Sequence, residues 1–166
     1  YDYYKLGEDR SIGFERTAAL IAAARKEFTN TLLFDNGDTI QGTALSDYQA
    51  QVKRLGCNEV LAMYKVMNAL GYDAGGIGNH EFNYGLSFLS QVTGNRFNVD
   101  LRPGEQAIPA QPCAGPNFPL VLANVLSVKD RKPLFKPYVV LDRSLKVTTS
   151  DGKTADAPIK VGVIAF

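Results

Sequence analysis

The sequence predicts an α/β domain built on a mixed sheet. In the first half, stretches with apolar residues at helical spacing alternate with short apolar runs. In the last third, two longer β-rich runs flank a polar turn. The length, 166 residues, suits one domain, and 45% hydrophobic residues suffice for a real core.

Ser11 is the expected cap of a first helix that runs to about Phe28, with Phe14, Ala18, Ile21 and Phe28 on one face. Arg25, Lys26 and Glu27 crowd its end and Asn30 lies beyond as a stop. Thr31 to Phe34 reads as a short buried strand, and the loop from Asn36 to Ala44 is rich in Gly, Thr and Asn. Asn58 is the expected cap of a second helix, with Val60, Met63, Tyr64, Met67 and Leu70 inward and Gly71 closing it. Tyr72 to Ile77 is a strand weakened by Gly75 and Gly76. A third helix covers Gly85 to Val92.

From Gly94 to Pro119 the chain carries Pro103, Pro109, Pro112, Pro116 and Pro119 with glycines between, which predicts a long loop. Pro119 to Val125 is a strand again. Tyr138 to Val147 and Ile159 to Phe166 flank Ser150-Asp151-Gly152-Lys153 as a β-hairpin. The chain opens on Tyr1-Asp2-Tyr3-Tyr4 and closes inside a strand pattern, Val163 to Phe166, so a fragment of a longer protein is expected.

Eighteen Lys and Arg against seventeen Asp and Glu, with no basic run, argue against a surface for a nucleic acid polymer. The apolar stretches are too short to cross a bilayer. Cys57 and Cys113 lack the C-x-x-C spacing of a zinc knuckle. Two separate thiols are the expectation, a bridge between them the alternative. Two cysteines alone assign no compartment.

The chemistry gathers in two strings. Asp35-Asn36-Gly37-Asp38 ends the first strand, and Gly78-Asn79-His80-Glu81-Phe82-Asn83 ends the next and holds the only histidine. In open α/β sheets the carboxyl ends of strands are where ligands bind. A carboxylate such as Asp38 can bridge two divalent cations about 4 Å apart, and the Asn79 amide oxygen is a neutral ligand. His80 is suited to ligate metal, donate to a phosphoryl oxygen or protonate a leaving alkoxide. Taken alone, Gly-Asp is more often a capped turn and a lone histidine more often a surface residue; the two strings at successive strand ends outweigh those readings.

Together, Asp35-Asn36-Gly37-Asp38-Thr39-Ile40-Gln41-Gly42 and Gly78-Asn79-His80-Glu81-Phe82-Asn83-Tyr84-Gly85 resemble the calcineurin-like metallophosphoesterases. Within these the chain is similar to the 5′-nucleotidase family. Tyr1-Asp2-Tyr3-Tyr4-Lys5, Gly13-Phe14-Glu15-Arg16-Thr17-Ala18 and Leu45-Ser46-Asp47-Tyr48 point to the bacterial subgroup that opens 2′,3′-cyclic nucleotides to 3′-nucleotides and then releases nucleoside and phosphate. The resemblance implies an α-β-β-α sandwich with mixed sheets, incomplete in this chain.

It also implies roles. Asp38 matches the aspartate that bridges both metals, Asn79 the asparagine ligand of one, and His80 the catalytic histidine that steadies the phosphoryl transition state without binding metal. Asn83 falls where many 5′-nucleotidases have an aspartate paired with that histidine. Glu81, Phe82, Gln41 and Asn124 are expected to support the site from behind.

Two divalent metal ions are the implied cofactors, with zinc, manganese or cobalt the expected identities. Nucleotides are the implied substrates and the periplasm the implied compartment. The family's Asp-x-His segment, its later histidine segments and its C-terminal nucleotide-binding domain are absent from residues 1–166. No aromatic here is assigned to a nucleobase, and the chain alone is expected to be inactive. The alternatives are a 5′-nucleotidase or nucleotide-sugar hydrolase, against which Asn83 weighs, and a non-catalytic domain that keeps the fold.

Overall fold

The computed structural model describes residues 6–166, so the Tyr1 to Lys5 string lies outside the described residues. The chain divides into two compact units, one of the residues up to Leu32 with Val140–Val161, the other of Leu33–Val139 with Gly162–Phe166.

In the first unit, helix α1 spans Phe14–Glu27. Phe14, Ala18 and Ile21 are half-buried as their spacing predicts, but Phe28 lies past the helix end and is 56% exposed. Ser11 does not cap α1. Its backbone N–H and hydroxyl both donate to Asp9 Oδ1, and the helix starts after Gly13 without a side-chain cap. The hairpin of this unit is formed by β4, Tyr138–Thr148, and β5, Thr154–Ile164. Strand β5 begins five residues earlier than Ile159, because its alternation of outward and half-buried residues runs unbroken from Thr154. The turn lies where the polar string predicts it, closed by Thr149 N–H donating to Lys153 O at 2.8 Å. Asn30 is fastened to the hairpin by a reciprocal amide pair with the Lys146 backbone, both bonds 2.8 Å.

The second unit is built on a three-stranded parallel sheet in the order β1-β2-β3, with β1 at Phe34–Asp35, β2 at Ala74–Gly76 and β3 at Leu120–Val121. Past β3 the chain changes partner: Leu122 N–H donates to Lys136 O and Ala123 N–H to Ala165 O. The strand expected over Thr31 to Phe34 is shifted and not buried: only Phe34 and Asp35 pair with β2, and Phe34 is 42% exposed. Gly75 sits where a Cβ would crowd the Leu120 and Phe118 side chains, so the residue that weakens the strand propensity is the one that lets β2 lie flat in the sheet.

A short helix α2, Ala44–Asp47, runs into a π-turn over Tyr48–Val52. Helix α3 covers Ala62–Leu70 and is closed by Gly71 at φ 66°, as expected. Tyr64 and Met67 are buried. Asn58 does not cap this helix. Gln49, from the π-turn, accepts from Ala62 N–H at 3.1 Å and takes that task across the chain. Helix α4 covers Leu86–Thr93. The core gathers Leu61, Tyr64, Met67, Ile77, Leu89 and Val121, each at most 3% exposed. No helix among the described residues is long and apolar enough to cross a membrane.

Cys57 and Cys113 are bonded to each other, which overturns the expectation of separate thiols. The reason is spatial: the proline-rich excursion folds back along the segment after the π-turn. Ala114 N–H donates to Cys57 O at 2.7 Å, Asn117 N–H to Asn68 Oδ1 at 2.8 Å, and Ser87 Oγ to Ala107 O at 2.8 Å. The bridge closes a loop of separation 56. By the chain-entropy argument a loop of that size is worth about 4 kcal/mol, and measured values run about 2–4. Replacing both cysteines with serine is therefore expected to lower the unfolding free energy by about 2–4 kcal/mol. Urea denaturation checks it, and reductant should lower the midpoint of the unaltered protein while leaving the variant's unchanged.

Candidate active site

Because β1 and β2 are adjacent and parallel, the segments that leave them emerge at the same edge of the sheet. Those segments carry Asp38 and Asn79, and they abut. Gly37, at φ 89°, lies so close to the Gly78 backbone that a side chain on either would overlap the other loop, and a Cβ on Gly78 would strike the Asp38 carboxylate. Both glycines are required by this close approach.

Glu81 locks the two loops together. It is 1% exposed, and its carboxylate accepts from four backbone N–H groups. Oε2 accepts from Asp38 and from Gly78, each at 2.7 Å, and Oε1 accepts from Thr39 and Ile40. The clamp holds Asp38 at φ 59°, a left-handed conformation that aspartate tolerates better than bulkier residues do. Asp38 Oδ1 in turn accepts from the His80 backbone N–H at 2.9 Å. Asp35 braces the same loop by accepting from the Thr39 hydroxyl at 2.9 Å and from Gly37 N–H at 3.2 Å. Burial raises the Asp35 carboxyl above the usual carboxylate range, against the opposing pull of those hydrogen bonds.

His80, in a 3-10 turn over His80–Phe82, is exposed, and its ring Nδ1 lies 2.8 Å from Gln41 Oε1. Asn83 Nδ2 donates to the same Gln41 oxygen and lies 3.2 Å from the ring nitrogen. The Tyr84 hydroxyl donates to Asp47 Oδ1 at 2.5 Å. Partial burial, the hydrogen bond to Asp47 and the charge of that carboxylate together push the Tyr84 hydroxyl up to about 12.

The structure thus brings Asp38, Asn79, His80, Glu81 and Asn83 to one edge. Glu81 and Asn83 support their neighbours, and Gln41 moves from a background position to direct contact with the His80 ring. Sequence reasoning gave Asp47 and Tyr84 no part here. They are 37 residues apart and no spacing rule connects them.

As donors, Asp38 and Asn79 are both oxygen ligands, exposed and on abutting loops. They fit a share of a divalent-cation site. Among the described residues no group of three or more His, Cys, Asp or Glu side chains gathers to hold a metal.

No family model matches the chain. It is 43% identical over its whole length to a 2′,3′-cyclic-nucleotide 2′-phosphodiesterase/3′-nucleotidase from Yersinia enterocolitica, covering 22% of that protein. It is 37% identical over its whole length to the trifunctional nucleotide phosphoesterase protein YfkN of Bacillus subtilis, covering 10% of it. The crystal structure of the calcineurin-like phosphoesterase YfkN from Bacillus subtilis superimposes with a TM-score of 0.77 at 36% identity, covering 99% of this chain and 42% of that one. The chain therefore has the calcineurin-like phosphoesterase fold. Within that class its sequence resembles the 5′-nucleotidase family, and more narrowly the 2′,3′-cyclic-nucleotide 2′-phosphodiesterase/3′-nucleotidases. The chain spans about a fifth of the length of those relatives, 22% in each case.

Proposed function

We propose that the chain is part of the catalytic domain of a periplasmic phosphoesterase that opens 2′,3′-cyclic nucleotides to 3′-nucleotides and then hydrolyses these to nucleoside and phosphate. The observation that carries the reading is the locked pair of loops, which sets Asp38 and Asn79 beside a histidine whose ring points to an amide. The names of the relatives support the substrate class. The Cys57–Cys113 bridge supports the compartment, since such bridges persist where the surroundings are oxidising.

Asp38 and Asn79 would hold divalent cations, identity open among zinc, manganese and cobalt, with further ligands from outside residues 1–166. When bound, such ions supply a hydroxide at neutral pH and offset the charge on phosphoryl oxygens. His80 sits on the same loop as Asn79, turned by Gln41 so that its Nε2 is the nitrogen left for substrate. With a hydrogen on Nε2, it would donate to a phosphoryl oxygen as charge develops and pass that same hydrogen to the departing ribose oxygen, leaving Nε2 bare. Glu81 and the two glycines keep Asp38 and His80 at fixed separation while this happens.

The test is a substrate panel of 2′,3′-cyclic AMP, 3′-AMP, 5′-AMP and a nucleotide sugar, assayed on the full-length parent protein with manganese, zinc or cobalt and after chelation. Metal-dependent turnover of the cyclic and 3′-substrates is expected. Preference for 5′-AMP or the nucleotide sugar would move the reading to a 5′-nucleotidase or nucleotide-sugar hydrolase. No turnover of any substrate would leave a non-catalytic domain that keeps the fold.

A further inference from the structure

We propose that Asp35 is a positioning residue for the divalent cations, and that its negative charge, set behind Asp38, strengthens their binding without ligating them. The inference rests on the reading of Asp38 and Asn79 as cation ligands, and it concerns what stands behind them.

Asp35 is the last residue of β1 and is half-buried. Its carboxylate is turned onto the loop that it opens. Oδ2 accepts from Gly37 N–H at 3.2 Å and from the Thr39 hydroxyl at 2.9 Å, and Oδ1 lies 3.0 Å from the same hydroxyl. Gly37 and Thr39 flank Asp38, so one side chain holds the loop on both sides of the proposed ligand. Thr39 also gives its backbone N–H to Glu81 Oε1, which brings two carboxylates onto one residue. Among the described residues, none of Asp35, Asp38 and Glu81 forms an ion pair with a lysine or arginine.

These hydrogen bonds do not call for a charge. An amide in the place of the Asp35 carboxylate keeps one oxygen for Gly37 N–H and the Thr39 hydroxyl, and its NH2 group can donate to that hydroxyl in turn. Glu81 is different, because four backbone donors leave no place for an NH2 group. The carboxylate at position 35 is therefore the costlier choice. Burial disfavours its ionised form, and Glu81 beside it carries the same sign. A dication at Asp38 gives that charge a purpose, since opposite charges attract across the loop at a distance where protein screens poorly. With its oxygens engaged by Gly37 and Thr39, Asp35 acts on the cation through the loop and through its field.

The test compares Asp35→Asn with Asp73→Asn in the full-length parent protein. Asp73 is likewise half-buried and accepts from a backbone N–H, that of Leu33, but it precedes β2 and so lies at the opposite edge of the sheet. Calorimetric titration of the chelated protein with manganese should show Asp35→Asn binding about 10-fold more weakly and Asp73→Asn binding as the unaltered protein does. Turnover that Asp35→Asn loses at limiting manganese should return at saturating manganese. The urea midpoint of the chelated Asp35→Asn protein should be equal or higher, because a costly charge is gone and the hydrogen bonds remain. Unchanged cation affinity in Asp35→Asn overturns the proposal, and so does an equal loss in Asp73→Asn, which would be a general effect of charge. A lower urea midpoint, or failure of Asp35→Asn to fold, overturns it as well, since the residue would then serve the fold. If the unaltered protein binds no divalent cation, the reading of Asp38 and Asn79 falls first and this inference with it.

Discussion

In the full-length parent protein, replacing His80 with alanine is expected to lower turnover of a 2′,3′-cyclic nucleotide about 10²- to 10⁴-fold while leaving bound metal unchanged. The contact between His80 and the residues proposed to hold metal is made by its backbone N–H, which donates to Asp38 Oδ1 at 2.9 Å and survives in alanine. The ring points instead to Gln41. On the proposed role, removing it takes away a group that meets charge in the transition state and none that fixes Asp38 or Asn79. Because the side chain is exposed, no cavity opens in the core and stability should be nearly unaltered. Metal analysis beside single-turnover kinetics checks this. Loss of metal in step with loss of activity would make the ring a ligand and overturn its assigned role.

The elements that position this site were legible where local chemistry decides them. Helix α3 follows its apolar spacing and stops at Gly71 because a residue with positive φ is needed there. The polar turn of the hairpin lies where its string predicts. The reading fails where a partner distant in sequence takes over a local task. Asn58 is a good cap by residue type, yet Gln49 holds the first N–H of α3. Ser11 is another, yet Asp9 captures its hydroxyl. Cys57 and Cys113 meet only because the proline-rich excursion folds back, and no spacing rule states that.

At the site, Gly-Asp and Gly-Asn-His-Glu were readable because each loop must be small and polar where it leaves its strand. Their being neighbours follows from parallel pairing of β1 with β2, which alternation of strand and helix already suggests. The hydrogen bond from Tyr84 to Asp47 depends on side-chain rotamers on two segments 37 residues apart, and nothing in residue order encodes it at short range.

Replacing Glu81 with glutamine is expected to lower both stability and activity, which separates it from His80. The substitution keeps the size of a side chain that is 1% exposed, so packing barely changes. What changes is the sign of one end. Each carboxylate oxygen serves two backbone N–H groups, Oε2 those of Asp38 and Gly78, Oε1 those of Thr39 and Ile40. In glutamine one oxygen becomes an NH2 donor, which meets two donors and satisfies neither. A buried donor left unpaired costs about 1–3 kcal/mol, so a loss of about 2–5 kcal/mol in unfolding free energy is expected. Relief would come by parting the loops, and the first residue released is Asp38, whose left-handed φ of 59° is held by that clamp. Activity should then fall with affinity for divalent cations, in contrast to His80→Ala. Glu81→Asp should fail as well, because the shorter side chain cannot reach both the Gly78 and the Thr39–Ile40 N–H groups at once. Urea denaturation and cation titration of the two variants are the measurements. A Glu81→Gln protein as stable as the original, with unaltered cation affinity, would show that the loops are held by something other than this carboxylate.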